Sequence, residues 1–457
     1  MNAVDKTPLQ ARFTRGSTMR HVVEMTVTGT IGLIAIFLVD FLSLFYVSRL
    51  DDDRLTAGVG YATTVLFIAV SVNIGTMIAG TAIVSRAIGA GNMADARRFA
   101  ASALAIAMLV GLGVTVLLFL ILPGILSSIG AAAVPGQIAG RFLAITLPAN
   151  VLMAAGMMFS GFLRAVGDAR RAMQVTLYGG LVTAVFDPLL IFGLGLGTDG
   201  AAIATVISRL VFTAVGFNGV VRVHRLIQMP RVADTIADAA AFFRIAVPAI
   251  LTNVATPVGG LLYMRILAPF GAEAIAASAI LDRLVPLAFG ALFALSGAVG
   301  PILGQNLGAH LFERLRQALR DAFVFCAVYT LVSWLLIVLL RNQIVWLFSV
   351  DGATARYVVF FCLFGGLAWV FGGLTLVANA SFNNLGFPLY STVFNWGRAV
   401  LGAFPFAFAG AHFYGVEGAM AGLVIGNLLF GVAALTMAFR VVDQLERRHI
   451  AAQPPAE

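Results

Sequence analysis

I34-A-I-F-L-V-D-F-L-S-L-F-Y46 leaves a helix no polar face: apart from Asp40, Ser43 and the phenol of Tyr46, every side chain is apolar. The stretch lies within a longer apolar run, 23–48. About 20 such residues, rising about 1.5 Å each, cross a hydrocarbon core roughly 30 Å thick. Membrane strands would alternate apolar and polar side chains over about ten residues, and this run does not. It is a membrane-spanning helix. Comparable runs follow near 55–83, 98–123, 138–163, 174–196 and 200–222, and then near 243–268, 273–303, 320–349, 355–383, 389–410 and 416–439. Twelve spans result.

Composition agrees. The chain has 457 residues, 60% hydrophobic and 11% charged, against about 25% charged in soluble domains. Too little polar surface remains for a water-soluble globule of this length. The net charge of +8 would suggest nucleic acid in a soluble protein, but the basic residues cluster between spans, where they set orientation. No nucleic-acid partner is expected. With the N-terminus inside, the inner segments and span ends carry about 20 Lys and Arg and the outer ones about 5. Both termini are therefore expected in the cytoplasm, in a multi-pass protein of the cell's inner membrane. No cleavable signal peptide is read, because the first apolar run is too long and contains Asp40. Cys326 and Cys362 have neither disulfide nor metal spacing, the five histidines form no ligand set, and no metal or cofactor is expected.

The chain also repeats itself. S85-R-A-I-G-A-G-N-M-A-D-A-R-R98 corresponds to G304-Q-N-L-G-A-H-L-F-E-R-L-R-Q317, with Gly89 to Gly308 and Arg97 to Arg316 at an offset of 219. F162-L-R-A-V-G167 pairs with S381-F-N-N-L-G386 at the same offset, and G197-T-D-G-A201 with G415-V-E-G-A419 one residue out of step. Six spans precede a polar stretch and six follow it. The expected organisation is a segment 1–22, an N-lobe 23–222, a linker 223–242, a C-lobe 243–439 and a tail 440–457. Parallel repeats of this kind belong to transporters, with a cavity between two pseudo-symmetric six-helix bundles.

Ionisable groups inside spans are the candidates for function, since a charge at mid-bilayer costs about 3 kcal/mol or more. Asp40 lies mid-way along the first span and Asp187 within T183-A-V-F-D-P-L-L-I-F-G193 of the fifth. Thr183 precedes Asp187 by four residues and shares its helix face. Pro188 cannot donate to the carbonyl of Ala184, which frees an oxygen beside the carboxylate. Carboxylate, hydroxyl and carbonyl suit a protonation site and a Na⁺ site equally. Arg283, with Asp282 beside it, lies in the eighth span, where it could meet a carboxylate or an anionic part of a substrate. Arg209, Arg265 and Arg398 are read as structural. Asn150, Asn253 and Asn379, with Tyr178, are candidate cavity residues, although interhelical hydrogen bonds explain most membrane asparagines.

The motifs V39-D-F-L-S-L-F-Y-V-S-R-L50, S85-R-A-I-G-A-G91, F162-L-R-A-V-G-D168, F186-D-P-L-L-I-F-G193, G197-T-D-G-A-A-I-A-T-V-I-S208 and G304-Q-N-L-G-A309 occur in order over nearly the whole chain. Together the sequence resembles the multidrug and toxic compound extrusion family, and within it the prokaryotic DNA-damage-inducible branch. The resemblance implies export of amphipathic, often cationic compounds in exchange for H⁺ or Na⁺ by alternating access. It places the coupling centre on Asp40, Asp187 and Thr205, with Thr183 where the family commonly has Asn. That replacement, and the lack of an acid in the seventh span, favours protons over Na⁺. The resemblance also places Arg283 toward the cavity. The family's first-span proline is missing: Gly29 stands opposite Pro248 at the repeat offset, which leaves Gly29 or Gly32 as the hinge.

Other readings fit the sequence less well. A lipid or lipid-linked oligosaccharide flippase would carry a more charged cavity and, in most cases, additional helices. An intramembrane enzyme would need a motif such as H-E-x-x-H, and none is present. The major-facilitator loop signature after the second span is also missing. The fold would work as a monomer, with the bilayer and small amphipathic molecules as its partners.

Overall fold

A computed structural model describes residues 11–50, 52–128 and 133–452, with the side chains of Asp40 and Ala133 outside that set. These residues are nearly all helical. We number the spans α1 (Thr18–Ser48), α2 (Asp53–Gly89), α3 (Met93–Ser128), α4 (Val134–Thr146 with Asn150–Ala165), α5 (Ala169–Gly193), α6 (Gly197–Val223) and α7 (Val232–Phe270). Then come α8 (Ala272–Phe289 with Ala291–Gly308), α9 (Phe312–Leu339), α10 (Gly352–Gly365 with Leu367–Leu385), α11 (388–413) and α12 (416–451).

Among the described residues eight helices are long and apolar enough to cross a bilayer unaided, and three bent pairs raise the number to eleven. The twelfth comes from Pro388–Ala451, two helices joined at Tyr414 (φ −134°) and Gly415 (φ +64°). Gly415 lies where side chains other than glycine's are strained, so the chain turns there. The apolar pattern predicted uninterrupted spans, and three are in fact broken. α4 bends by 56° around Pro148, α8 by 46° at Gly290, one turn after Pro286, and α10 by 52° at Gly366. Proline removes a backbone donor and glycine holds a helix less well than any other residue, so the bends fall where the ladder is weakest. The apolar run 320–349 also ends early: the helix stops at Leu339, and a short helix, Arg341–Leu347, follows.

The contacts divide into two compact units, an N-terminal one built on Ile31–Ile250 and a C-terminal one built on Leu251–Glu457 with Phe13–Thr30. Small side chains dominate the buried interior of each, as membrane helix packing favours. The N-terminal unit centres on Phe162, Leu163, Met158, Ile88 and Phe242. Its second cluster holds Leu143, Leu147, Val65 and Ile191. Large apolar groups such as Leu109 and Leu120 of α3 remain 65% and 74% exposed, which in water would be costly and in lipid is not.

Phe13 is buried in the C-terminal unit. Its N–H donates to Gln305 Oε1 at 2.8 Å, and its carbonyl accepts from Arg314 Nε at 2.9 Å and Asn306 Nδ2 at 3.3 Å. The polar pair of the G304-Q-N-L-G motif thus anchors the chain ahead of α1. The repeat also reappears as equivalent contacts. Thr18 donates to Asp321 in the C-terminal unit, and Ser102 donates to Asp238 at 2.8 Å in the N-terminal unit. Residues 102 and 321 are 219 apart, so the same bond is made with donor and acceptor exchanged.

Candidate functional site

The two helices that carry the buried acids run side by side within the N-terminal unit. A Cβ on Gly32 of α1 would meet the Thr176 hydroxyl of α5, and one on Gly180 would touch Val39 and come within 3.7 Å of the Ala35 carbonyl. Ser43 bonds to Asp187. Residues 32 and 176, and 43 and 187, share an offset of 144, so α1 and α5 are parallel and in constant register over three turns. Position 40 is then level with position 184, between Thr183 and Asp187 on the neighbouring helix. The side chain of Asp40 itself lies outside the described residues.

α5 changes character just past the acid. Pro188 ends the α-helical hydrogen bonding, and Leu189–Gly193 continue as a π-helix. Such turns are rare and concentrate at functional sites. α6 packs directly on this widened turn: a Cβ on Gly200 would stand 2.7 Å from the Leu190 carbonyl carbon. Only glycine permits that approach, so the G197-T-D-G motif serves to bring α6 against the backbone beyond Asp187.

Asp187 is 1% exposed, and the hydroxyl of Ser43 donates to its Oδ2. Thr183, also buried, donates to the Gly179 carbonyl of its own helix at 3.3 Å. Thr205 of α6 donates to Ala201 O at 3.0 Å. Ser208 reaches across from α6 to Gly179 O at 2.7 Å. The structure therefore joins Asp187 to Ser43, keeps Thr183 one turn away on the same helix, and turns the hydroxyl protons of Thr183 and Thr205 to their own backbones. Ser43 was not among the site residues expected from the sequence. Its signal was its place three residues after Asp40, on one helix face.

The other candidates are dispersed. Tyr178 is 44% exposed. Asn150 is buried and binds helices together, accepting from Asn73 Nδ2 at 2.8 Å and donating to Gly111 O at 3.0 Å. In the C-terminal unit Asn253 is half-buried and Arg283 exposed, as is Asp282. Asn379 is buried, and its Oδ1 has no hydrogen-bond partner among the described residues. Arg209 donates to Thr146 O at 2.6 Å. Thr146 ends the first half of α4, where orphan carbonyls attract a cation, so Arg209 has a structural task.

A buried carboxylate that accepts from a hydroxyl can take up a proton and release it. A metal ion needs more. Among the described residues no three His, Cys, Asp or Glu side chains converge.

Comparison with known proteins gives a consistent result. Residues 30–189 and 248–408 match the family model described as MatE. A FAD transporter of Shewanella oneidensis is 28% identical over 435 residues, covering 93% of this chain and 96% of that protein. The multidrug export protein MepA of Staphylococcus aureus is 22% identical over 440 residues, covering 95% and 96%. Among solved structures, the MATE transporter VcmN of Vibrio cholerae in its bent form superposes with a TM-score of 0.88 at 23% identity, covering 94% of this chain and 98% of that one. A MOP superfamily transporter of Pyrococcus furiosus gives 0.89 at 20% identity, covering 97% and 100%. At those identities the structural likeness speaks for the fold alone.

Proposed function

The chain belongs to the MatE family of multi-pass membrane transporters, and we propose that it is a secondary active antiporter that exports amphipathic organic compounds in exchange for protons. The observation that carries this reading is Asp187, buried in a spanning helix and joined to α1 through Ser43. Protonation removes the charge whose burial costs several kcal/mol and weakens the carboxylate as acceptor for Ser43. The strength of the α1–α5 contact thus depends on the proton. α1 changes its allegiance between Thr30 and Ile31, between Gly29 and Gly32, so a change in that contact acts on the helix next to its candidate hinge.

Protons are favoured over Na⁺ because a proton needs only the carboxylate. A cation would need several converging oxygens, and this chain has a threonine at 183 where the family commonly has Asn and no acid within residues 243–268 of the seventh span. Asp40, level with position 184 by register and so about one turn from Asp187, completes the proposed coupling pair. The likeness to a multidrug export protein, MepA, and to a FAD transporter of Shewanella oneidensis makes cationic dyes and flavin nucleotides the substrates to try first. We place the protein in the cell's inner membrane with both termini cytoplasmic, on the strength of the Lys and Arg asymmetry.

The test is ethidium efflux from proteoliposomes under a pH gradient alone and a Na⁺ gradient alone. The pH gradient should drive efflux in the wild type and fail in Asp40→Asn and Asp187→Asn. Drive by Na⁺ alone would overturn proton coupling, and transport unimpaired in both variants would remove these acids from the mechanism.

A further inference from the structure

The fifth span of each unit meets the sixth at the same place, but with different chemistry. In the N-terminal unit Ser208 donates to Gly179 O at 2.7 Å. Adding the repeat offset of 219 gives Asn427 and Arg398, and these are also in contact: Arg398 Nη1 donates to Asn427 Oδ1 at 3.1 Å. The fold therefore closes this junction in one unit with a glycine and a serine. It has no need of a charge there, yet the other unit carries a guanidinium.

The surroundings of Arg398 are built to aim it. Its Nε and Nη2 donate to Asn395 Oδ1 at 3.3 and 3.1 Å. Each amide is fixed with its oxygen toward the guanidinium because its NH₂ group is used elsewhere. Asn395 donates to Thr252 O at 2.6 Å and Asn427 to Leu423 O at 2.8 Å. These neutral acceptors take three of the five N–H groups a guanidinium offers. No carboxylate among the described residues lies within ion-pairing distance of it. Arg398 also lies in the first turn of a π-helical stretch, Gly397–Ala403, the second such widening at a charged residue in a fifth span. It lies ten residues from Pro388, about 15 Å into the span, too deep for a lipid headgroup to be its ordinary partner. Arg209, by contrast, spends its charge on the end of a broken helix.

We propose that Arg398, oriented by Asn395 and Asn427, is a subsite for the anionic group, phosphate or carboxylate, of a transported organic compound. A charge held only by neutral dipoles in a membrane protein is stabilised when an anion arrives, and its remaining N–H groups form the charge-assisted hydrogen bonds that recognise carboxylate and phosphate. This subsite rests on the transport reading but not on which ion is coupled.

The test is equilibrium binding of riboflavin and riboflavin 5′-phosphate, one ring system with and without a phosphate, to the purified full-length protein in nonionic detergent, followed by flavin fluorescence. The phosphate ester should bind about ten-fold tighter or more. In Arg398→Gln the two affinities should become equal, and in Asn427→Ala, which keeps the charge but loosens it, the preference should shrink several-fold. Added phosphatidylglycerol should leave the wild-type preference in place; its loss would assign Arg398 to a lipid headgroup and overturn the proposal. Equal wild-type affinities, no binding of the ester below about 1 mM, or a preference that survives in Arg398→Gln would also overturn it. No gradient is applied, so a failure of proton coupling cannot be mistaken for a failure of this subsite.

Discussion

α5 and α11 are the same helix of the repeat, and they carry opposite charges at different depths. α5 has Asp187 where α11 has Phe406, and α11 has Arg398 where α5 has Gly179. Each helix widens into a π-turn beside its charged residue. The shared scaffold fixes how the fifth span packs on the sixth, and each unit has then placed one ionisable group on it. The two units divide the labour: on the proposed reading the acidic repeat handles the coupling proton and the basic one meets the substrate. A purely structural role would not require the two charges to sit at non-equivalent positions of equivalent helices.

The comparison breaks most visibly at the acid. Asp187→Asn keeps the shape and hydrogen-bonding reach of the side chain but removes its titration, so proton-driven efflux should fall more than 100-fold, about 3 kcal/mol on the barrier, with expression and melting temperature little changed. Efflux within a few-fold of wild type would end the assignment. Gly32→Leu copies into the N-terminal unit the residue its partner repeat has at 251, and Thr176 likewise corresponds to Asn395. The added side chain meets the Thr176 hydroxyl. Overpacking should cost about 1–3 kcal/mol, read as a lower melting temperature, and should slow transport by separating Ser43 from Asp187. Ser43→Ala removes one hydrogen bond to a charged group, worth about 1.5 kcal/mol. Transport should fall about ten-fold, with a loss of stability no greater than about 1.5 kcal/mol.

Much of this was legible in the sequence, for stated reasons. Twelve spans follow from apolar runs that no other fold could bury, and the repeat offset, 219 between Ser102 and Asp321 and 220 between Thr18 and Asp238, pairs the Ser102–Asp238 contact with Thr18–Asp321. The breaks were not read. Pro148 and Pro286 mark two of them, but membrane helices tolerate proline, and nothing near Gly366 separates it from the many glycines that do not bend a helix. Ser43 was overlooked because a hydroxyl in a span ordinarily bonds its own backbone, as Thr183 and Thr205 do. Phe13 read as part of a tail, since an isolated aromatic ahead of a span gives no periodicity. Arg398 was classed with Arg209 because both are lone arginines in helices. Only coordinates show that one meets a helix end and the other two oriented amides.

The smallest effect should come where the same two helices begin. α5 is capped by Asp168, which accepts from the Arg171 N–H at 3.0 Å, from the Arg171 guanidinium at 2.6 Å and from His224 Nε2 at 2.8 Å. The equivalent position ahead of α11 is Phe387, stacked on Tyr390 at 5.7 Å and lying under Arg448. One entry to the fifth span is thus ionic and the other aromatic. Partial burial alone would raise the Asp168 carboxyl, but the bonds from His224 and Arg171 outweigh it and hold the group well below its usual 3.8. A carboxyl depressed on folding stabilises the native state above its unfolded value, and that contribution is lost only as pH falls through the lower folded value. Asp168→Asn retains a capping oxygen, so it should cost no more than about 1 kcal/mol. The gap in melting temperature between wild type and variant should be constant from pH 7 to 5 and close only below about pH 4. Phe387→Leu at the matching position should show no pH dependence over that range. A gap that closes near neutral pH would mean that the cap draws its stability from a group other than the Asp168 carboxylate.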